Sequence, residues 1–312
     1  MLLSLESDGK VKNIVVTQEL KLSPIVAGCW RMHTWGWSVA QRLDWITACV
    51  DCGVSSFDHA DIYGGYSVEG LFGEALARDP ALRRRIQLVS KCGIQLISDA
   101  RPEHRVKAYD TSPLHIERSV EQSLRALGTD YLDALLIHRP DPLLDADAVA
   151  MSFQRLQRAG KVLAFGVSNF TPTQFSLLHS RVPLVTNQVE CSPLQLAPLH
   201  DGTFDQAQQL RIAPMVWSPL AGGKIFTSED VIATRVRKTI TAIAARYAVS
   251  PATVAYAWLT RLPCRPHLII GSSRMAALYE ALDALALGLD APSWHEIWVA
   301  AAGRDEIGRA HV

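Results

Sequence analysis

The sequence predicts an α/β protein in which eight parallel strands close into a (β/α)8 barrel of the TIM type. Three observations predict this fold: eight short apolar runs, helical patterns between them, and no glycine-rich fingerprint after the first run. An open doubly wound sheet is the competing fold, but it usually carries that fingerprint. Residues 31–37 instead read RMHTWGW, so the closed barrel is favoured.

Short apolar runs bounded by turn residues are typical of the buried strands of a parallel sheet. A short N-terminal β-hairpin, predicted at Val11–Leu22 from its β-branched residues, precedes them. The predicted strands are Ile25–Trp30, Ser55–His59, Ile86–Ser90, Leu132–Ile137, Ala164–Val167, Val185–Val189, Ala213–Trp217 and His267–Ile270.

Apolar residues at helical spacing occupy the intervals between these strands. The predicted helices are Val39–Cys52, Glu69–Ala77, Ile116–Leu127, Ala146–Ala159, Pro172–His179, Phe204–Leu210, Ser228–Tyr247 and Ala252–Leu262. No break in composition separates two parts, so residues 1–312 are predicted to form one domain. The long connection Cys92–Pro113 and the stretch after Asp290 are predicted lids.

Composition excludes several classes of protein. Hydrophobic residues make up 48% and charged residues 20%, which suits a large core and excludes a disordered chain. Lys plus Arg and Asp plus Glu each number 31, so no global field attracts a nucleic acid or an anionic membrane. The first ten residues lack an apolar stretch of signal-peptide length. We therefore expect a cytoplasmic protein, and the balanced charge suits a monomer.

The six cysteines include the pair Cys49 and Cys52, a C-x-x-C spacing. Such a pair is read as a redox site or half of a zinc site. No second pair completes a tetrahedral site, and the two cysteines fall within an amphipathic helical pattern. Buried structural thiols are favoured. The ten histidines show no ligand spacing, so we expect no metal site.

Polar residues follow nearly every predicted strand. A lone polar residue there is usually an exposed loop residue or a helix cap. In this kind of barrel, however, active sites are built at the carboxyl ends of the strands, so a shared polar pocket explains the series better. The residues are Asp58, Asp61, Tyr63, Ser90, Lys91, His138, Arg139, Asp141, Ser168, Asn169, Asn187, Gln188, Glu190, Trp217, Ser218, Gly271, Ser272 and Ser273.

Five of these segments together resemble the aldo-keto reductase superfamily, and most of all its bacterial YdhF-like branch. Residues 57–64 read FDHADIYG, 89–91 VSK, 136–138 LIH, 166–170 GVSNF and 187–190 NQVE, in the family's order along nearly the whole chain. The resemblance implies a reductase of a small carbonyl substrate that uses NADPH, with NADH as an alternative. It implies four catalytic residues, Asp58, Tyr63, Lys91 and His138.

The chemistry of these four side chains agrees with the resemblance. Reduction of a carbonyl needs a proton for the oxygen, and Tyr63 is the candidate acid. Because a free phenol has a pKa of about 10, we expect a neighbouring Lys91 cation to favour its ionised form. Asp58 would keep the buried Lys91 charged, and His138 would orient the carbonyl oxygen or assist proton relay. A purely structural salt-bridge network is the alternative, but it does not need the tyrosine and the histidine.

The resemblance also implies a set of cofactor-binding residues. Ser168, Asn169 and Gln188 would bind the nicotinamide carboxamide, and Trp217 would stack on the ring. The flexible segment Ser218–Lys224 would approach the pyrophosphate. The remaining candidates are Gly28, Cys29 and Trp30 after the first strand, Leu220, Gly222 and Lys224 in that segment, and Gly271, Ser272, Arg274 and Glu280 near the last predicted strand.

One position departs from the family's pattern. The arginine that commonly binds the adenosine 2′-phosphate corresponds by spacing to Ala277. Arg274 and Ser272 must take its place if NADPH is used. Glu280 matches the acidic residue that contacts adenine in the family.

The sequence says less about the substrate. An aromatic-rich turn follows the first strand and contains Trp30, His33, Trp35 and Trp37. It predicts an apolar or aromatic pocket for hydrophobic aldehydes or ketones. The alternative is that some of these tryptophans serve merely to anchor the loop. Two other functions remain open: a dinucleotide-binding sensor or regulatory subunit with little turnover, and a hydrolase or lyase that uses Asp58, Asp61 and Glu190.

Overall fold

A computed structural model describes residues 20–303 and places eight parallel strands in a closed barrel. Around the barrel the order is β1, β2, β3, β6, β7, β8, β9 and β10, and β10 pairs with β1 again. The predicted (β/α)8 fold is confirmed. The strands are β1 Ile25–Gly28, β2 Ser56–Asp58, β3 Gln87–Cys92, β6 Leu132–Ile137, β7 Val162–Ser168, β8 Asn187–Glu190, β9 Met215–Trp217 and β10 His267–Ile270.

Helices lie between successive strands and cover the barrel. All eight predicted helices are present with ends shifted by a few residues, and α10 and α11 complete the described chain. The helices are α1 Val39–Asp51, α2 Val68–Leu76, α3 Pro113–Leu127, α4 Ala146–Arg158, α5 Pro172–His179, α6 Thr203–Leu210, α7 Lys224–Thr227, α8 Val231–Tyr247, α9 Pro251–Thr260, α10 Met275–Ala286 and α11 Ala291–Ala302.

Side-chain capping starts several helices where the sequence changes from loop to helical pattern. Ser38 and Gln41 form a reciprocal capping box at α1, and Thr171 and Gln174 form another at α5. At the other end of α3, Gly128 takes a left-handed conformation with φ of 65°, which glycine adopts without steric cost. These local signals fix where the loops at the mouth begin and end.

Strand alternation divides the core into two parts. Residues two apart on a strand face the same side, so Val89 and Lys91 of β3 both point into the barrel. The lower interior is apolar and contains Val26, Val89, Ala134, Leu136, Met215 and Ile269. The larger core fills the space between strands and helices. Lys91 and its polar neighbours therefore form the layer above the apolar plug, at the carboxyl ends of the strands.

The connection Cys92–Pro113, one of the two predicted lids, contains a short antiparallel hairpin of β4 Ile94–Gln95 and β5 Ala108–Tyr109. It lies against the loop that follows Tyr63, because the backbone N–H of Leu96 donates to Tyr66 Oη at 2.9 Å. Its role as a lid stays a prediction.

The second predicted lid, after Asp290, is packed along the described part of its length. Its helix α11 lies on α8 and α9: Trp294 Nε1 donates to the carbonyl of Trp258 at 2.8 Å, and Arg246 pairs with Glu296 at 2.9 Å. The hairpin predicted at Val11–Leu22 falls mainly on residues 1–19, outside the described residues.

Candidate active site

Lys91 is at the centre of the polar layer. Its Nζ donates to both oxygens of Asp58 at 2.8 Å, to the carbonyl of His59 at 2.7 Å and to Tyr63 Oη at 2.9 Å. Lys91 is 1% exposed and Asp58 3% exposed, so the pair is removed from water. Asp58 ends β2, Tyr63 lies in the loop that follows, and Lys91 lies on β3. The three side chains thus meet at one point of the mouth.

The pKa values in this cluster reflect burial first and charge second. Burial lowers the pKa of Lys91, and the Asp58 carboxylate opposes this effect. Burial raises the pKa of the Tyr63 phenol well above its usual value, and the charge of Asp58 raises it further. In the resting protein burial outweighs the effect expected of Lys91 on the pKa of this phenol, and the role of Lys91 toward Tyr63 stays a prediction. Tyr63 holds its proton at neutral pH.

His138 completes the predicted quartet. Its ring centroid lies 5.9 Å from that of Tyr63, with the rings nearly perpendicular. Burial lowers the pKa of His138 well below its usual value, and the charges of Lys91 and Arg139 lower it further. The imidazole is therefore neutral at pH 7 and carries one N–H donor.

A chain of hydrogen bonds connects the candidate nicotinamide residues to this cluster. Trp217 Nε1 donates to Asn169 Oδ1 at 3.2 Å, and Asn169 Nδ2 donates to Ser168 Oγ at 2.7 Å. Ser168 Oγ donates to the carbonyl of Gln188 at 3.0 Å. Finally, Gln188 Nε2 donates across the barrel to Asp58 Oδ1 at 2.8 Å, a contact that the sequence did not indicate.

The three candidates after β1 have different environments. A Cβ at Gly28 would lie 2.9 Å from Ile269 Cγ2, so glycine permits the close approach of β1 to β10. Cys29 is fully buried, and its backbone N–H donates to the carbonyl of Asp58 at 3.0 Å. Trp30 is 55% exposed, and its ring centroid lies 6.5 Å from that of Tyr63. Trp30 is thus the member of the three that faces the mouth.

The predicted aromatic wall after β1 is only partly present. Trp35 and Trp37 pack on each other with tilted rings, centroids 4.6 Å apart, and lie 5.1 and 6.2 Å from Trp45, so they anchor the loop rather than line the mouth. His33 lies against Gly64, where a Cβ would be 2.9 Å from its ring. The sequence could not separate these roles, because all four residues belong to one short aromatic-rich turn.

The segment after β9 has the backbone of an open cradle. Ser218, Ala221, Gly222 and Gly223 have φ values of 52°, 52°, 66° and 95°, and a Cβ at Gly223 would meet no atom within 4 Å. Leu220 is half-buried and Lys224 is exposed. A second cation, Arg31, lies beside this segment, and sequence reasoning missed it. Its Nη2 is 3.7 Å from the position that a Cβ would take at Gly222.

The segment after β10 is open as well. Gly271 and Arg274 are exposed, Ser272 is half-buried, and Ser272 Oγ accepts from the backbone N–H of Arg274 at 3.1 Å. Ala277 is 6% exposed and faces the core, whereas Glu280 on the same helix is half-buried. Arg274 is therefore the cation at the start of α10.

Donors, cations and glycines thus surround the mouth in an arrangement that fits a nicotinamide dinucleotide. The side-chain amides and Trp217 lie at the barrel centre, and the two loops with Lys224 and Arg274 lie at its rim. Elsewhere, Cys49 and Cys52 are free thiols, the first within α1 and the second at its C-cap, and Cys52 Sγ donates to the carbonyl of Cys49 at 3.1 Å. Within residues 20–303 no three potential metal ligands come together, and none of the helices is both long and apolar enough to cross a membrane.

Comparisons with known proteins agree with the site. The sequence model of the Aldo/keto reductase family matches residues 24–300. The uncharacterized oxidoreductase YcsN of Bacillus subtilis is 47% identical over 298 residues, which cover 95% of this chain and 99% of YcsN. Oxidoreductase YdhF of Escherichia coli is 48% identical over 293 residues, 93% of this chain and 97% of YdhF.

A third relative has a named substrate, and two solved structures share the fold. A 6-dehydroglucose reductase of Agrobacterium fabrum is 40% identical over 95% of this chain and 99% of its own length. The glycerol dehydrogenase of Gluconobacter oxydans superposes with a TM-score of 0.80 at 21% identity, covering 95% of this chain and 97% of its own. A thermostable aldo-keto reductase superposes with a TM-score of 0.74 at 23% identity, covering 96% and 100%. The chain belongs to the aldo/keto reductase family.

Proposed function

We propose that the protein is an NADPH-dependent reductase of aldehydes or ketones in which Tyr63 is the general acid. The observation that carries this proposal is the single ammonium group of Lys91, bound at once to the Asp58 carboxylate and to the Tyr63 hydroxyl. A buried ion pair alone adds little stability, so a purely structural role does not explain why the Lys91 ammonium group also binds the Tyr63 hydroxyl.

The residues around the mouth are suited to hold the cofactor. Ser168, Asn169 and Gln188 would bind the carboxamide, Trp217 would stack on the nicotinamide, and Ser218–Lys224 would bind the pyrophosphate. Arg274 and Ser272 would bind the 2′-phosphate that separates NADPH from NADH. When bound, the reduced nicotinamide supplies a hydride to the carbonyl carbon.

The chain itself supplies the proton. Tyr63 is protonated in the resting protein and donates to the carbonyl oxygen as negative charge develops there. Lys91, at 2.9 Å, then stabilises the resulting phenolate, and Asp58 keeps Lys91 charged. Neutral His138 donates a second hydrogen bond that orients the oxygen.

The hydrolase or lyase alternative finds less support. Both oxygens of Asp58 accept from Lys91, so this carboxylate is held in the ion pair. The alternative thereby loses one of the three carboxylates on which it rests. The sensor alternative differs from a reductase only in its low turnover, so the activity measurement described next decides between the two.

The test is NADPH oxidation with a panel of aldehydes and ketones. The panel includes 6-dehydroglucose, because two relatives carry that name. We expect Tyr63→Phe to lower kcat by about 10²- to 10⁴-fold, the usual loss of a general acid. Binding of NADPH, followed by tryptophan fluorescence, should be unchanged.

Tyr66→Phe is the matched control. Tyr66 is three residues further on, and its hydroxyl accepts from the hairpin at Leu96. This variant should keep its turnover. Full turnover in Tyr63→Phe would contradict the acid assignment, and tight NADPH binding without turnover on any substrate would favour the sensor.

A further inference from the structure

Arg139 is a cation at the mouth that has no carboxylate partner among residues 20–303. It follows His138 at the end of β6 and is half-buried. The adjacent carboxylate of Asp141 accepts instead from Thr111 Oγ1 at 2.9 Å and from the backbone N–H of Leu143 at 2.8 Å. Among residues 20–303, the Arg139 guanidinium has no ion pair within 4.0 Å and no side-chain hydrogen bond.

The guanidinium lies over the site rather than away from it. Its central carbon is 5.8 Å from the ring centroid of Trp217. Burial is the main influence on the pKa values of Tyr63, His138 and Glu190, and the positive charge of Arg139 lowers all three. The position of the guanidinium is fixed by its contact with the Trp217 ring, and its charge reaches the candidate catalytic groups.

The phosphate groups of a dinucleotide have other cations. Lys224 follows β9 and Arg274 begins α10, both in the loops suited to phosphate, whereas Arg139 follows β6 directly after His138. Arg139 thus belongs to neither phosphate loop and adjoins His138, a candidate catalytic residue, in the chain.

An unpaired guanidinium discriminates between substrates. Covering it with hydrocarbon removes its water without replacing the lost hydrogen bonds, which is costly for a charged group. An oxygen acceptor on the substrate restores those bonds, and a carboxylate is held by two parallel ones. The exposed ring of Trp30, beside Tyr63, offers an apolar face to the carbon skeleton of the same molecule.

We infer that Arg139 is a specificity-determining residue that binds hydroxyl or carboxylate oxygens on the short chain that carries the reacting carbonyl. The protein then favours hydroxylated or acidic carbonyl compounds over plain hydrocarbon aldehydes, in contrast to the hydrophobic substrates that the tryptophan-rich turn predicts. This inference rests on the proposed reductase function and adds the substrate class to it.

The experiment compares matched substrates. The values of kcat/KM are measured for glyceraldehyde against propanal, and for 4-oxobutanoate against butanal, with wild type, Arg139→Met and Arg118→Met. Arg118 is a suitable control because its side chain is 63% exposed and pairs with Glu103 outside the site. The first pair reports on hydroxyl recognition and the second on carboxylate recognition.

We expect wild type to prefer the oxygenated member of at least one pair by about 10- to 100-fold, which corresponds to about 1.4 to 2.8 kcal/mol. Arg139→Met should abolish that preference by lowering kcat/KM for the oxygenated member more than for its hydrocarbon partner, and Arg118→Met should keep it. Equal ratios in wild type and Arg139→Met would overturn the inference. A tenfold loss of NADPH affinity in Arg139→Met would also overturn it, because the arginine would then serve the cofactor.

A binding measurement separates this inference from the proposed function. Glycerate has a hydroxyl and a carboxylate but no carbonyl to reduce, so its binding does not require turnover. We expect glycerate, titrated by tryptophan fluorescence, to bind wild type and Arg118→Met at least tenfold more tightly than Arg139→Met. Absence of turnover on every aldehyde would count against the reductase function, while equal glycerate binding by all three proteins would count against Arg139.

Discussion

At the residue scale, two histidines border the ammonium group of Lys91, and both remain neutral at pH 7. His59 is fully buried, and its ring stands edge-on to Phe72 with centroids 4.6 Å apart. Its two ring nitrogens have no hydrogen-bond partner among the described residues. Burial lowers the pKa of His59 to about 3, with a further contribution from the charge of Lys91.

His59 therefore makes stability depend on pH. Its pKa in the folded protein lies below the ordinary value of 6.5, so between pH 6.5 and 3 the unfolded chain binds one proton more. The contribution of neutral His59 to the free energy of unfolding is fully present above pH 6.5 and is lost as the pH falls. At about 1.36 kcal/mol per pKa unit, we expect about 2 kcal/mol to be lost between pH 7 and pH 5.

Denaturant unfolding of wild type and His59→Leu at the two pH values measures this effect. The variant should lose about 2 kcal/mol less than wild type on going to pH 5. Asp61 and Glu69, whose pKa values are raised by burial, act in the opposite direction and are present in both proteins. An equal loss in the two proteins would show that His59 does not stay neutral in the fold.

At the element scale, α2 and α3 approach so closely that one position of α2 accepts only glycine. A Cβ at Gly73 would lie 2.0 Å from the carbonyl oxygen of Ala126 in α3. One helical turn earlier, a Cβ at Gly70 would meet no atom within 4 Å. The two glycines form an internal comparison on one helix, directly after the loop that contains Tyr63.

We predict opposite effects for alanine at these positions. Gly73→Ala should lower the free energy of unfolding by about 1–3 kcal/mol, because a backbone carbonyl cannot yield as a side chain does. Gly70→Ala should raise it by about 0.5–1 kcal/mol through the better helix propensity of alanine. Denaturant unfolding of the two variants checks both values, and a Gly73→Ala protein as stable as Gly70→Ala would disprove the close contact.

The elements themselves differ in how well the sequence predicts them. All eight barrel strands and the helices between them, apart from the four-residue α7, were predicted, because burial on both sides produces short apolar runs and an amphipathic face produces a helical period. The hairpin β4–β5 was not, since two-residue strands such as Ile94–Gln95 carry no periodic pattern. For the same reason, the sequence predicted Cys92–Pro113 only as a long connection.

The site was predictable to the extent that it depends on strand order. Asp58, Tyr63 and Lys91 come from neighbouring strands, so the rule that polar residues gather at the carboxyl ends was enough to bring them together. The bond from Gln188 to Asp58 depends on the diameter of the barrel, which no local pattern encodes. The direction of the Tyr63 pKa shift was not predicted, because it depends first on burial, which follows from the packing of the whole mouth.

At the scale of the whole molecule, this bond ties opposite walls of the barrel. Three strands separate β8 from β2 in either direction around the closed sheet. Gln188 Nε2 nevertheless donates to Asp58 Oδ1 at 2.8 Å, so the candidate nicotinamide site and the candidate proton donor share one buried network. Removal of the donor leaves a buried carboxylate oxygen with one partner fewer.

We expect Gln188→Leu to lower the free energy of unfolding by about 1.5–3 kcal/mol, the usual contribution of a hydrogen bond to a charged group. Gln206→Leu is the control, because Gln206 bonds only neutral acceptors, the Pro172 carbonyl at 2.7 Å and Ser176 Oγ at 2.8 Å, near the surface. Denaturant unfolding should show the larger loss for Gln188→Leu. The reverse order would argue against a stabilising bond across the barrel.

The cysteines have a practical consequence for the whole fold. Five of the six free thiols, Cys29, Cys49, Cys92, Cys191 and Cys264, are buried, and burial raises the pKa of each. Alkylating reagents attack the thiolate, so these sites react only when the barrel opens. The rate of their alkylation, followed peptide by peptide, thus times the opening of the region around each cysteine without any introduced residue.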